Sequence, residues 1–280
     1  MTEFIGSWGI YDGELLSLRQ LEEPGKDIFS VYEVLRVEQS VPLFIEDHID
    51  RLFHSLTLEQ LEINESKADI NNFVNRLIQK SQFIRGRIKL VYHFPDYPET
   101  IPYHFLIYFT PASFPAEELY SKGVHVSLCH AVRNDPNAKV LHTKAREQAN
   151  EKIHKQHLFE VLLVNQENYI TEGSRSNVFF ISENKLVTPP DDSVLQGIAR
   201  KNVIRLCRAH NLALEIRNVA VSELNSFSSV FLTGTSLKVL PVHRIDDIEY
   251  QVRGDFYRFI FSEFDGLIKA YINHANLPYA

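Results

Sequence analysis

Cysteine is scarce in this 280-residue chain, which has only Cys129 and Cys207. Two thiols so far apart build neither a disulfide scaffold nor a cysteine-based zinc site. They are expected as small buried hydrophobes in a reducing compartment, and no metal site is expected. A run of 18 apolar residues is also lacking, so nothing reads as a membrane span. The opening MTEFIGSWGIYDGE has neither the basic nor the long apolar region of a signal peptide. Basic charge is in deficit, with 29 Lys+Arg against 36 Asp+Glu and a net charge of −7. That balance argues against a nucleic-acid binder, which needs clustered cations to neutralise phosphates. G-x-G-x-x-G and P-loop patterns are missing, which weakens nucleotide-binding readings. What remains is 44% apolar and 23% charged, the balance of a soluble globular protein, expected in the cytoplasm. At this length a single core is near its limit, so two lobes are expected.

The first third alternates strand and helix patterns. Ser30–Val37 alternates in polarity like a half-buried strand, and Val41–Ile45 reads as its hairpin partner. From Glu46 the period changes: Ile49, Leu52, Phe53 and Leu56 share one face of a helix with an acidic start. A second helix is predicted over 67–82, and strands over 87–93 and 103–109. Thr110–Glu118 carries two prolines and little pattern, and is read as a linker. Beyond it, strands are predicted at 124–128, 161–164, 178–181, 230–233 and 238–242. A largely exposed helix is predicted over 144–157, an amphipathic one over 198–210 and a long one over 253–274. This order is α+β with mixed sheets rather than a regular βαβ series.

Four polar features sit at element ends. Thr171-Glu172-Gly173-Ser174-Arg175-Ser176-Asn177 is either a solvated hairpin or a site. Gln196-Gly197-Ile198-Ala199-Arg200 is either a plain helix start or an anion cup, since free amides at a helix N-terminus bind phosphate. Thr233-Gly234-Thr235-Ser236 either caps a turn or binds an anion. Arg51 either snorkels from an apolar helix face or meets a buried anion.

Taken in order, His48-Ile49-Asp50-Arg51-Leu52, Thr171-Glu172-Gly173-Ser174 with Ser176-Asn177, Leu195-Gln196-Gly197-Ile198-Ala199-Arg200, and Thr233-Gly234-Thr235 with Pro241-Val242 resemble the class IV aminotransferases. That family includes branched-chain and D-amino-acid aminotransferases and aminodeoxychorismate lyase. The resemblance implies the fold-type IV architecture, a small α/β lobe over residues 1–112, a linker at 113–118 and a larger mixed lobe over 119–280. It also implies pyridoxal 5′-phosphate (PLP) as cofactor and a homodimer as the assembly. The Schiff-base lysine is Lys139 or Lys144. Lys139-Val140-Leu141-His142 resembles the Lys-x-Leu-Asn of two branches, and the stretch from Lys139 to Glu160 fits the family segment without a gap. Lys144 requires the loss of more than one helical turn, so Lys139 is preferred.

By the same resemblance Glu172 pairs with the pyridine nitrogen. Arg51, the Ile198 and Ala199 amides after Gly197, and Thr235 hold the phosphate, with Ser174 beside them in the cofactor set. A dianion would explain a charge in the apolar face at Arg51. Tyr32 matches an aromatic that lines the substrate pocket, although the family's glycine-rich turn is replaced by Lys26-Asp27-Ile28-Phe29-Ser30. Arg36 and Lys89 either pair with a substrate carboxylate or face outward from their strands. The implied activity is amino transfer between a small amino acid and a 2-oxo acid. The alternatives are pyruvate elimination by an aminodeoxychorismate lyase, or a catalytically silent paralogue acting as a binding protein.

Overall fold

The computed structural model describes residues 4–20, 28–99, 102–112, 114–133, 135–141, 143–183 and 185–276. The chain forms two compact units, one of Met1–Ser113, Ala138–His142 and Lys269–Ala280, the other of Phe114–Asn137 and Thr143–Ile268. A single linear cut at 113–118 does not capture the two later segments that join the first unit. Ser113 of that connector, His142 and the Lys26–Asp27 part of the altered turn lie outside the described residues.

The first unit is a six-stranded antiparallel sheet flanked by two helices. Its strands are β1 (Ile5–Tyr11), β2 (Glu14–Ser17), β3 (Phe29–Glu38), β4 (Val41–Pro42), β5 (Arg85–Phe94) and β6 (His104–Thr110). They lie in the order β2-β1-β6-β5-β3-β4. Helices α1 (Ile45–Leu58) and α2 (Lys67–Ser81) bury Ile49, Leu52, Leu56, Ile70, Val74 and Leu77 against Val31, Leu35, Ile88 and Leu90. Truncating a leucine such as Leu52, fully buried, is expected to cost about 2–5 kcal/mol. Because side chains alternate along a strand, Tyr32 and Val34 of β3 face the other way and pack with Val91, Leu106, Tyr108 and Leu141.

Three local features explain why these elements start and stop. The β1–β2 hairpin turns on Asp12-Gly13, both at positive φ, the chemistry a two-residue hairpin favours. This hairpin has no counterpart in the sequence expectations, although Asp-Gly was its signal. The partner strand expected at 41–45 shrinks to Val41–Pro42, because Phe44 adopts a left-handed conformation and α1 begins at Ile45. With no side-chain cap at Phe44, the Ile45 amide instead donates to Tyr271 Oη at 3.2 Å, and Tyr271 donates to Glu46 at 2.7 Å. Helix α2 starts on a capping box between Ser66 and Asp69.

The second unit holds a ten-stranded mixed sheet. Its strands are β7 (Val124–His130), β8 (Glu160–Val164), β9 (Tyr169–Gly173), β10 (Asn177–Ser182), β11 (Lys185–Thr188), β12 (Ala213–Ile216), β13 (Val219–Ala220), β14 (Ser229–Gly234), β15 (Lys238–Ile245) and β16 (Ile248–Glu249). The path runs β12-β11-β10-β14-β15-β7-β8-β9-β13, with β16 on β15. Pairs β11/β12, β15/β7 and β7/β8 are parallel and the other pairs antiparallel. Four helices accompany it: short α3 (Leu119–Lys122), α4 (Lys144–Gln156), α5 (Ile198–Ala209) and α6 (Asp255–Ala275), whose last turns from Lys269 belong to the first unit. Helix α4 buries only Ala145 and Ala149, in line with its charged sequence. Cys129 and Cys207 are free and buried, and burial pushes the Cys207 thiol up to about 11. Among the described residues no helix is long and apolar enough to cross a membrane, and no group of three His, Cys, Asp or Glu side chains is placed to hold a metal ion.

Candidate active site

Two charged clusters stand out, one in each unit. In the first unit, β3 is not the half-buried strand its alternation suggests but is covered on both faces. Glu33 is fully buried toward α1, where Arg51 Nε reaches Oε1 at 2.7 Å and Nη2 reaches Oε2 at 2.8 Å. His48 Nδ1 lies 2.7 Å from the same Oε2. Burial alone would raise the Glu33 carboxyl, but the Arg51 charge and the Arg51 and His48 hydrogen bonds outweigh it and hold it far below the carboxylate range. His48 is pushed below its ordinary 6.5, first by burial and further by the Arg51 and Lys139 charges, against the pull of Glu33. Arg51 is therefore no snorkelling surface residue: its side chain is 10% exposed and clamped side-on by a carboxylate.

Lys139 belongs to this unit. Its backbone is pinned on both sides, the amide donating to Ser55 Oγ at 3.1 Å and the carbonyl accepting from Tyr32 N at 3.1 Å. A bridge between Val31 and Val140 and a bond from Leu141 N to Ser30 O extend the tie. Lys139 is half-buried, and its Nζ sits 4.8 Å from the Tyr32 ring centroid. Lys144, by contrast, is exposed at the first position of α4, behind the cap Thr143. The sheet face bearing Tyr32 also carries Arg36 and Lys89, 3% and 6% exposed, so neither faces outward to solvent. Lys89 Nζ lies 5.8 Å from the Tyr32 ring and 5.9 Å from the Tyr108 ring, and Arg36 bonds Glu38.

In the second unit the polar run 171–177 is not a solvated turn. Thr171, Glu172 and Gly173 finish β9, Asn177 opens β10, and Glu172, Ser176 and Asn177 are buried. Glu160 gathers the three residues between, accepting from Ser174 Oγ at 2.6 Å, Arg175 N at 3.1 Å and Ser176 Oγ at 3.2 Å. Ser174 is thus occupied in shaping the turn. Glu172 accepts from Arg133 Nη1 at 2.8 Å, Leu195 N at 3.1 Å and Asn177 Nδ2 at 3.3 Å. Asn177 also donates to Leu195 O at 2.8 Å.

The start of α5 is fitted to this cluster. A Cβ on Gly197 would stand 1.9 Å from Asn177 Oδ1, so the close approach demands glycine. Gly197 caps α5 without a side chain, leaving the Ile198 and Ala199 amides at an uncapped N-terminus of positive dipole. Arg200 turns away to Asp191 at 2.6 Å and to Pro189 O. Thr235 is half-buried in the turn between β14 and β15. Sequence reasoning passed over Arg133, Glu33 and Glu160. Arg133 lies 39 residues from its partner, and no local pattern joins them.

The model of the family described as "Amino-transferase class IV" matches residues 30–245. A probable branched-chain-amino-acid aminotransferase of Aquifex aeolicus is 32% identical over 227 residues, 75% of this chain and 71% of the relative. The chain belongs to the class IV aminotransferases. This class IV chain also superposes on the branched-chain amino acid aminotransferase of Thermobaculum terrenum, solved in its PLP form, with TM-score 0.84 and 20% identity, covering 96% of both chains. A putative 4-amino-4-deoxychorismate lyase structure from Legionella pneumophila matches with TM-score 0.78 and 21% identity, covering 90% of this chain and 97% of that one. The fold is accordingly the α+β fold-type IV, and the family is one of PLP-dependent enzymes.

Proposed function

We propose that this class IV aminotransferase binds PLP through Lys139 and moves an amino group between a small amino acid and a 2-oxo acid. Lys139 carries the reading: an amine beside an aromatic ring, on a backbone held from both sides, in the family's own segment. The donor set suits the cofactor. An amine, a buried carboxylate, an uncapped helix N-terminus behind an obligate glycine, and a hydroxyl turn match an aldehyde, a ring nitrogen and a phosphate.

When bound, PLP withdraws electrons from the substrate Cα. Lys139 Nζ would take the proton from that carbon and deliver it to the cofactor's C4′, the acid–base part of amino transfer. Glu172 sets an anion against the ring nitrogen. Arg51, whose guanidinium the Glu33 clamp fixes in advance, would bind the phosphate, as would the Ile198 and Ala199 amides with Thr235. Ser174 keeps the turn after Glu172 in shape through Glu160. Tyr32 lines the substrate side, and the buried cations Arg36 and Lys89 receive substrate carboxylate. The enzyme acts as a homodimer, a state that analytical ultracentrifugation measures directly.

Purified protein incubated with PLP is expected to gain a visible absorption band, and amino donors are expected to convert it to the pyridoxamine form. Absence of the band with added PLP contradicts the enzymatic reading and favours a silent paralogue. A screen of D- and L-amino acids identifies the donor and its chirality. Pyruvate release from aminodeoxychorismate without an acceptor would reassign the reaction to the lyase.

A further inference from the structure

We propose that Arg133 is a positioning residue that keeps the Glu172 carboxylate ionised, and thereby keeps the shared proton on the cofactor's ring nitrogen. The proposal rests on the reading of Glu172 given above. Arg133 and Glu172 form an ion pair at 2.8 Å, with side chains 14% and 4% exposed. The other donors to Glu172, Asn177 Nδ2 and the Leu195 amide, also favour the charged form. A carboxylate facing a pyridine nitrogen shares one proton with it, and the proton rests on the more basic partner. The Arg133 cation bonds the carboxylate directly, while a ring nitrogen beyond that carboxylate is farther away. Coulomb attraction falls with distance, so the cation lowers the basicity of Glu172 more than that of the ring. The protonated ring is the stronger electron sink, and Arg133 supports it without touching substrate.

The pair also spans the chain usefully. Arg133 stands in the segment that leads from β7 toward Lys139, and Glu172 is the penultimate residue of β9. One ion pair therefore ties the approach to the lysine to the strand that carries the acid.

The test uses the holoenzyme loaded with ring-15N PLP, following the nitrogen chemical shift against pH in wild type, Arg133→Gln and Arg133→Lys. Wild type is expected to show a protonated nitrogen. Arg133→Gln is expected to show a shift toward neutral pyridine, with the shared proton redistributed at least about tenfold from the ring nitrogen toward Glu172. Arg133→Lys is expected to restore the wild-type shift. An Arg133→Gln enzyme with the wild-type shift and titration overturns the proposal and leaves the Glu172 reading intact. An unprotonated ring in wild type overturns both. If Arg133→Gln does not retain cofactor, the Glu172 carboxyl is titrated in the apoprotein by 13C NMR. A proton affinity raised at least about tenfold over wild type supports the proposal, and an unchanged one overturns it.

Discussion

Glu33 and Glu172 are both buried carboxylates bonded to an arginine, yet their surroundings differ. Glu33 takes its partners His48 and Arg51 from one helix, α1, packed on its own strand, within 18 residues of chain. Glu172 takes its donors from three separate segments: the stretch after β7, the start of β10 and the loop before α5. The Glu33 cluster is therefore as robust as the packing of α1 on β3. The Glu172 cluster depends on long-range closure and on one glycine that lets Asn177 approach. On the proposed function, the first carboxylate holds helix to strand and presets Arg51, whereas the second, assembled from loops at strand ends, meets the cofactor.

That contrast is sharpest in stability. Glu33→Gln leaves Arg51 buried without its counter-charge and is expected to cost about 3–5 kcal/mol in denaturant unfolding. Glu172→Gln is expected to behave oppositely, lowering turnover by about 10²–10³-fold while costing less stability than the Glu33 change. Steady-state kinetics beside unfolding curves separates the two, and the comparison breaks if both variants lose mainly stability. Gly197→Ala attacks the second cluster through its packing. The new Cβ displaces Asn177, costs about 1–3 kcal/mol and weakens PLP binding, as a fluorescence titration measures. The smallest effect belongs to His48→Gln. The folded imidazole titrates below 6.5, so the unfolded state takes up protons first as pH falls and stability rises with pH across that window. The variant is expected to flatten the stability–pH profile below about pH 6.5, by no more than about 1.4 kcal/mol per pH unit.

The same contrast explains what was legible from residues alone. Helices α1, α2 and α5 announce themselves by period, because each has one apolar face and a polar opposite face. Glu33 reads as a polar position of a half-buried strand, and Arg36 on the opposite face leaves an outward-facing charge open, since alternation does not reveal that both faces are covered. Arg51 is a visible anomaly in an apolar face, but its counter-ion lies on another element. The Glu172 region is recognisable by resemblance and reads as a turn by composition, since what orders it is hydrogen bonding to Glu160 and from Asn177, which leaves no apolar pattern in the sequence. Arg133 has no local signature, because its partner is brought to it only by the fold.

The central claim is that Lys139, on the backbone pinned to Ser55 and Tyr32, is the residue that carries the cofactor. Borohydride reduction of the PLP-loaded protein followed by peptide mapping tests it most directly. The pyridoxyl group is expected on Lys139; a pyridoxyl group on Lys144, at the exposed start of α4, would contradict the account.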